Sequence, residues 1–63
     1  MMKFEIGKLY LDRTQKVYKR ITHWNHLPTF CDERGNLFVR NIDGKYRWDD
    51  KTDDRDITNE NLF

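Results

Sequence analysis

The sequence predicts a mostly β fold: one small domain over residues 1–63, a bent antiparallel sheet or small barrel of four to five short strands. Three observations point there. The chain contains no alanine, the best helix former, and only five leucines, so long helices lack their usual material. Aromatic residues make up 14% of it, and together with valine, isoleucine and threonine they suit pleated, half-buried surfaces. Turn-forming residues then interrupt the apolar segments at short intervals.

Taken in order, Phe4 to Leu11 reads as a first strand, with Gly7 as a bulge or a close backbone approach. Asp12-Arg13-Thr14-Gln15 is turn material. Residues 16–24 carry two patterns. Val17, Tyr18, Ile21 and Trp24 recur at helical spacing, yet Val17, Ile21 and Thr22 are β-branched, and no Glu or Gln completes a capping box after Thr14. The segment is assigned as strand, with helix as the alternative. His23 to Pro28 reads as a loop, because Pro28 drives Leu27 to an extended conformation. Thr29 to Asp32 forms a short third strand, ended by the Glu33-Arg34-Gly35-Asn36 turn.

The strongest local signal follows. Leu37 to Ile42 and Lys45 to Trp48 are separated by Asp43-Gly44 alone, the signature of a type I′ hairpin. That loop pairs Ile42 with Lys45, Asn41 with Tyr46, Arg40 with Arg47 and Val39 with Trp48. Alternation then places Leu37, Val39, Tyr46 and Trp48 on the core side. The opposite face carries Phe38, Arg40, Ile42, Lys45 and Arg47. Arg40 opposite Arg47 calls for an anion, since like charges directly across a sheet repel. Residues 49–56 form an acidic loop, Ile57 and Thr58 a closing strand, and 59–63 a short tail. The expected core is Phe4, Ile6, Leu9, Val17, Ile21, Phe30, Val39, Tyr46, Trp48 and Ile57.

Hydrophobic residues are 37% of the chain, so the core is small, and a domain of this size buries only about 60% of its unfolded surface. Cys31 is the only cysteine and forms no intrachain disulfide, which reads as a reduced, cytoplasmic protein. No stretch approaches the ~18 apolar residues of a membrane span, so no membrane association is expected. With neither disulfide nor metal to staple it, the domain is expected to gain stability from a partner or a homodimer.

Little of the sequence suggests chemistry. His23, His26, Cys31 and Asp32 are zinc-ligand types, but tight ligand pairs are missing. A dyad of Cys31 with a histidine lacks an orienting third group and an oxyanion-hole loop, and there is no serine at all. Read as a calcium loop from Asp49, the acidic segment puts Lys51 at a ligand position and Asp54 where glycine is needed. No catalytic residue, metal or cofactor is expected.

Binding is the remaining class. Residues 1–26 hold six Lys or Arg against two acids, and residues 27–63 hold six against nine. The basic half could meet nucleic acid, but the net charge is only +1. Apolar Phe38 and Ile42 rimmed by Arg40, Lys45 and Arg47, together with Leu62-Phe63, resemble a protein-binding surface better.

The runs Leu9-Tyr10-Leu11-Asp12-Arg13 and Lys16-Val17-Tyr18-Lys19-Arg20-Ile21, the turn Gly44-Lys45-Tyr46-Arg47-Trp48-Asp49 and the late Asp56-Ile57 pair look like those of small tailed-bacteriophage accessory proteins. Gln15 stands where their first turn usually has glycine. The resemblance covers most of residues 9–57. It implies an SH3-like β barrel, made in the host cytoplasm, non-enzymatic and directed at a host protein or defence system.

Overall fold

Tight turns built on aspartate side chains and positive-φ residues set the strand lengths of this protein. The computed structural model describes residues 3–61. Its strands are β1 (Leu9–Asp12), β2 (Val17–Trp24), β3 (Leu27–Cys31), β4 (Leu37–Val39) and β5 (Ile57–Glu60). They form one antiparallel sheet in the order β4-β3-β2-β1-β5. The mostly β, bent-sheet expectation therefore holds, but the hydrogen-bond ladder does not close into a barrel. The loop after β4 does reach β5 through one contact, in which the Ile57 amide donates to the Gly44 carbonyl at 2.9 Å. Among the described residues no helix is long and apolar enough to cross a membrane.

The β1–β2 turn is organised by Asp12, whose Oδ1 accepts from the amides of Thr14 and Lys16 and from the Thr14 hydroxyl. Gln15 takes a positive φ of 72° there, the conformation that glycine adopts most easily. Of residues 16–24, Val17–Trp24 is strand, as the β-branched side chains indicated, and Lys16 still belongs to the turn. Asp32 repeats the aspartate device in the β3–β4 turn, accepting from the amides of Arg34 and Asn36 beside Gly35 at φ 81°.

Three expectations are corrected. The first strand is shorter than Phe4 to Leu11, because Glu5 to Lys8 forms a turn closed by the Lys8 amide on the Glu5 carbonyl, with Gly7 at φ 90°. His23 to Pro28 is a hairpin rather than a loop: Trp24 pairs with Leu27 across Asn25 and His26, both at positive φ. Pro28, which has no amide to donate, sits one residue beyond the β3–β4 ladder, and its carbonyl accepts the Arg40 amide.

The third correction matters most for function. Residues 45–48 form no strand. The Asn41 amide donates to the Lys45 carbonyl, so the turn holds three residues, Ile42, Asp43 and Gly44, with Gly44 at φ 88°. The Tyr46 amide, which a two-residue hairpin would commit to a strand partner, goes instead to the Asp56 carboxylate at 2.8 Å. Phe38 pairs with Phe30 and points into the core, which turns Leu37 and Val39 outward. The expected Val39–Trp48 pair does not form.

The core is consequently more aromatic than expected: Phe4, Tyr10, Tyr18, Phe30 and Ile57, with Phe38 packed against them. Its rings meet edge to face, as in Phe4–Tyr10 at 5.0 Å and Tyr18–Phe38 at 5.3 Å between centroids, the arrangement their quadrupoles favour. Leu9, Val17 and Ile21 are half-buried, whereas Ile6, Val39, Tyr46 and Trp48 lie exposed. The tail pair Leu62-Phe63 falls outside the described residues.

Candidate partner-binding surface

The outward turn of β4 and the irregular path of residues 45–49 create an open cleft of about 530 Å³ lined by Trp24, Val39, Tyr46, Arg47, Trp48 and Asp49. Trp24 ends β2 at the tip of its hairpin and is 60% exposed, and Trp48 is 76% exposed. These are large values for the residue type with the most apolar area to hide.

The cleft wall is held from behind. Asp56, 1% exposed, accepts from the amides of Tyr46 and Asp53 and from the Arg13 side chain. Burial by itself would raise the Asp56 pKa, but those two amides and the Arg13 charge prevail and hold it below the ordinary carboxylate value. Asn41 donates from Nδ2 to the Arg47 carbonyl at 3.0 Å. At the rim, Arg47 binds Asp49 through both Nε and Nη2, at 3.0 and 2.9 Å.

The five residues expected to share a binding face are divided by this geometry. Phe38 is half-buried against the core and Arg40 is 3% exposed, so neither lies on an outer face. Ile42 is exposed on the three-residue turn, while Lys45 donates from Nζ to the Asp50 carbonyl at 2.7 Å. Arg47 alone reaches the aromatic cleft. Arg40 and Arg47 do not oppose one another, because their register pair is not made. Trp24, Tyr46 and Trp48 are the residues that sequence reasoning missed. Their available signal was composition: two tryptophans exceed what so small a core accommodates, and Trp48 is followed directly by Asp49-Asp50.

A second cleft, of about 400 Å³, lies between the β1–β2 turn and the Arg55 loop, and Tyr46 lines both. Arg40 is at its floor. Burial pulls the Arg40 pKa below the ordinary arginine value, against the favourable influence of Tyr18 and Tyr46. Arg55 lies over the Tyr46 ring at 3.7 Å from its centroid and chelates Asp53, whose carboxyl is held down to about 2, chiefly by that bond. The zinc-ligand types His23, His26, Cys31 and Asp32 belong to no group of three His, Cys, Asp or Glu that could hold a metal among the described residues.

Compared with known proteins, the chain matches no family model, no curated protein and no solved structure.

Proposed function

We propose that this protein is a non-enzymatic binding module that takes hold of a partner protein through the cleft of Trp24, Val39, Tyr46 and Trp48. The observation that carries this reading is the gathering of two exposed tryptophans and a tyrosine in one open cleft, with the Arg47–Asp49 pair at its rim. Trp, Tyr and Arg dominate the energetics of protein interfaces, and a desolvated aromatic centre inside a polar rim is their usual arrangement. The resemblance to tailed-phage accessory proteins extends the reading to a phage-encoded modulator of a host protein, acting in the host cytoplasm.

Phosphate binding by the basic half is the weaker reading. Lys8, Arg13 and Lys16 are each engaged by a carboxylate, so much of that charge is neutralised within the fold.

The test uses the purified chain and its Trp24→Ala and Trp48→Ala variants as bait in bacterial lysate, followed by calorimetry with the purified captured protein. Both variants should bind about tenfold or more weakly while melting like the parent. Equal affinity for all three would remove the cleft from the interaction. Salt-sensitive binding of oligonucleotides at physiological ionic strength would favour the phosphate reading instead.

A further inference from the structure

Arg40 is a buried cation without a counter-ion. Its Nε donates to the Arg55 carbonyl at 2.9 Å and its Nη1 to the Val39 carbonyl at 3.0 Å. Nη2 is also buried, yet it has no hydrogen-bond partner among the described residues, and no carboxylate there pairs with this guanidinium. The rings of Tyr46, Phe38 and Tyr18, at 5.0, 5.6 and 5.8 Å, supply their quadrupoles, and the Tyr18 hydroxyl, which donates to Asp12, adds a neutral polar neighbour but no counter-charge. Burying a charge is costly unless it is paired and hydrogen-bonded, so the unused donor marks an incomplete site.

The surroundings specify what completes it. Of the cations that border the cleft, Lys16 already meets Asp32 at 3.3 Å and Arg55 is chelated by Asp53, so Arg40 is the one whose charge no carboxylate among the described residues answers, which suits a single negative charge. Asp12 is fully occupied by four hydrogen bonds and does not turn towards Arg40. Lys16 places its Nζ 4.9 Å from the Phe38 ring centroid, on the same aromatic wall as Arg40. A dianionic phosphate would exceed the available positive charge; a flat monoanion would not.

We propose that this cleft is a carboxylate-binding site, with Nη2 of Arg40 as the principal donor and Lys16 as the second cation. The carboxylate is that of a free small acid or of an acidic side chain on a polypeptide. Because Tyr46 lines both clefts, the second source would seat its acidic residue beside an apolar one held by the tryptophans. The site itself does not depend on the tryptophan cleft having a partner.

The experiment follows the Arg40 side-chain Nε–H resonance by NMR in the full chain, titrating sodium acetate against sodium chloride at constant ionic strength. A saturable shift with acetate alone is expected, weakened about tenfold by Lys16→Gln and abolished by Arg40→Gln. Lys16 is exposed, so its variant remains informative even if Arg40→Gln does not fold. A heptapeptide with one glutamate between leucines forms the second arm. Saturation at lower concentration than acetate, with shifts at the Trp24 and Trp48 indoles, assigns the site to a polypeptide. Saturation no tighter than acetate, with the indoles unmoved, assigns it to a free acid. Identical responses to acetate and chloride, or an acetate response unchanged by Lys16→Gln, would overturn the proposal. The acetate arm contains no partner protein, so its failure leaves the protein-capture reading standing, and the converse also holds.

Discussion

The Tyr18 hydroxyl donates a 2.9 Å hydrogen bond to Oδ2 of Asp12, and both side chains are buried. The other oxygen of Asp12 holds the β1–β2 turn through Thr14 and Lys16. One carboxylate thus ties a local turn to the aromatic core. Removing the hydroxyl in Tyr18→Phe leaves a buried charged acceptor short of one donor, and the expected loss is about 2 kcal/mol in denaturant unfolding. The bond also has a signature in alkali. Burial first, and then Asp12, push the Tyr18 pKa up to about 12 from its ordinary 10.0. The native state therefore keeps a proton that the unfolded chain releases. This stability is complete below pH 10.0 and disappears as pH rises through about 12. Tyr18→Phe should lack that part of the alkaline decline.

Acid acts through the aspartates. Burial works to raise the pKa of Asp12 and of Asp56, but their hydrogen bonds prevail and hold both below the ordinary 3.8. The native state consequently binds fewer protons than the unfolded chain just below that value. Their contribution is present above pH 3.8 and lost as pH falls through the folded-state values. Unfolding free energy measured against pH should fall on that side, and Asp56→Asn should flatten part of the slope. An identical pH profile for the variant would remove Asp56 from the account.

Gly44 is fixed by conformation and by space. Its φ is 88°, and an added Cβ would lie 2.8 Å from Phe4 Cζ and nearer still to the Ile57 carbonyl oxygen. Both neighbours are buried, and the second is backbone. Gly44→Ala must strain its own backbone and separate the loop from β5, and a loss of about 2–4 kcal/mol is expected. Gly35→Ala shares the positive φ but has no atom within 4 Å of its Cβ position, so it should lose only the conformational part. Comparing the melting of the two variants separates strain from crowding.

The β1–β2 and β3–β4 turns and the extended character of β2 were legible because their information is local. Asp12 and Asp32 head turns that their own side chains close, and Val17, Ile21 and Thr22 favour extended backbone. Asn25-His26 was harder to read, since histidine is an unusual second residue for such a turn and Pro28 argued against a strand. Asp43-Gly44 fits a two-residue hairpin, but it also fits the end of a three-residue loop. The choice was made by distant groups: Asp56 takes the Tyr46 amide, and Phe38 finds the Phe30 and Tyr18 rings. With Phe38 committed to Phe30, alternation inverts the expected facing of β4. Val39, Tyr46 and Trp48 of the expected core face therefore line the aromatic cleft, and Phe38 and Arg40 moved from the expected binding face to the interior.

Trp48 carries the sharpest consequence of that inversion. In the two-residue register it faces Val39 in the core, and Trp48→Ala would cost about 3–5 kcal/mol, enough to unfold so small a domain. In the structure Trp48 is 76% exposed, and the segment around it is held by Asn41, Asp49 and Asp56 rather than by its indole. Trp48→Ala should therefore change stability by no more than about 0.5–1 kcal/mol, within reach of an ordinary surface substitution. Its effect on partner binding should be far larger, about 2 kcal/mol or more, because a tryptophan at an interface centre loses its whole desolvated area. Thermal melting and calorimetry on one preparation read both quantities. A variant that melts like the parent and fails to bind places Trp48 in the interface; one that unfolds places it back in the core, and the three-residue turn at Ile42-Asp43-Gly44 would fall with it.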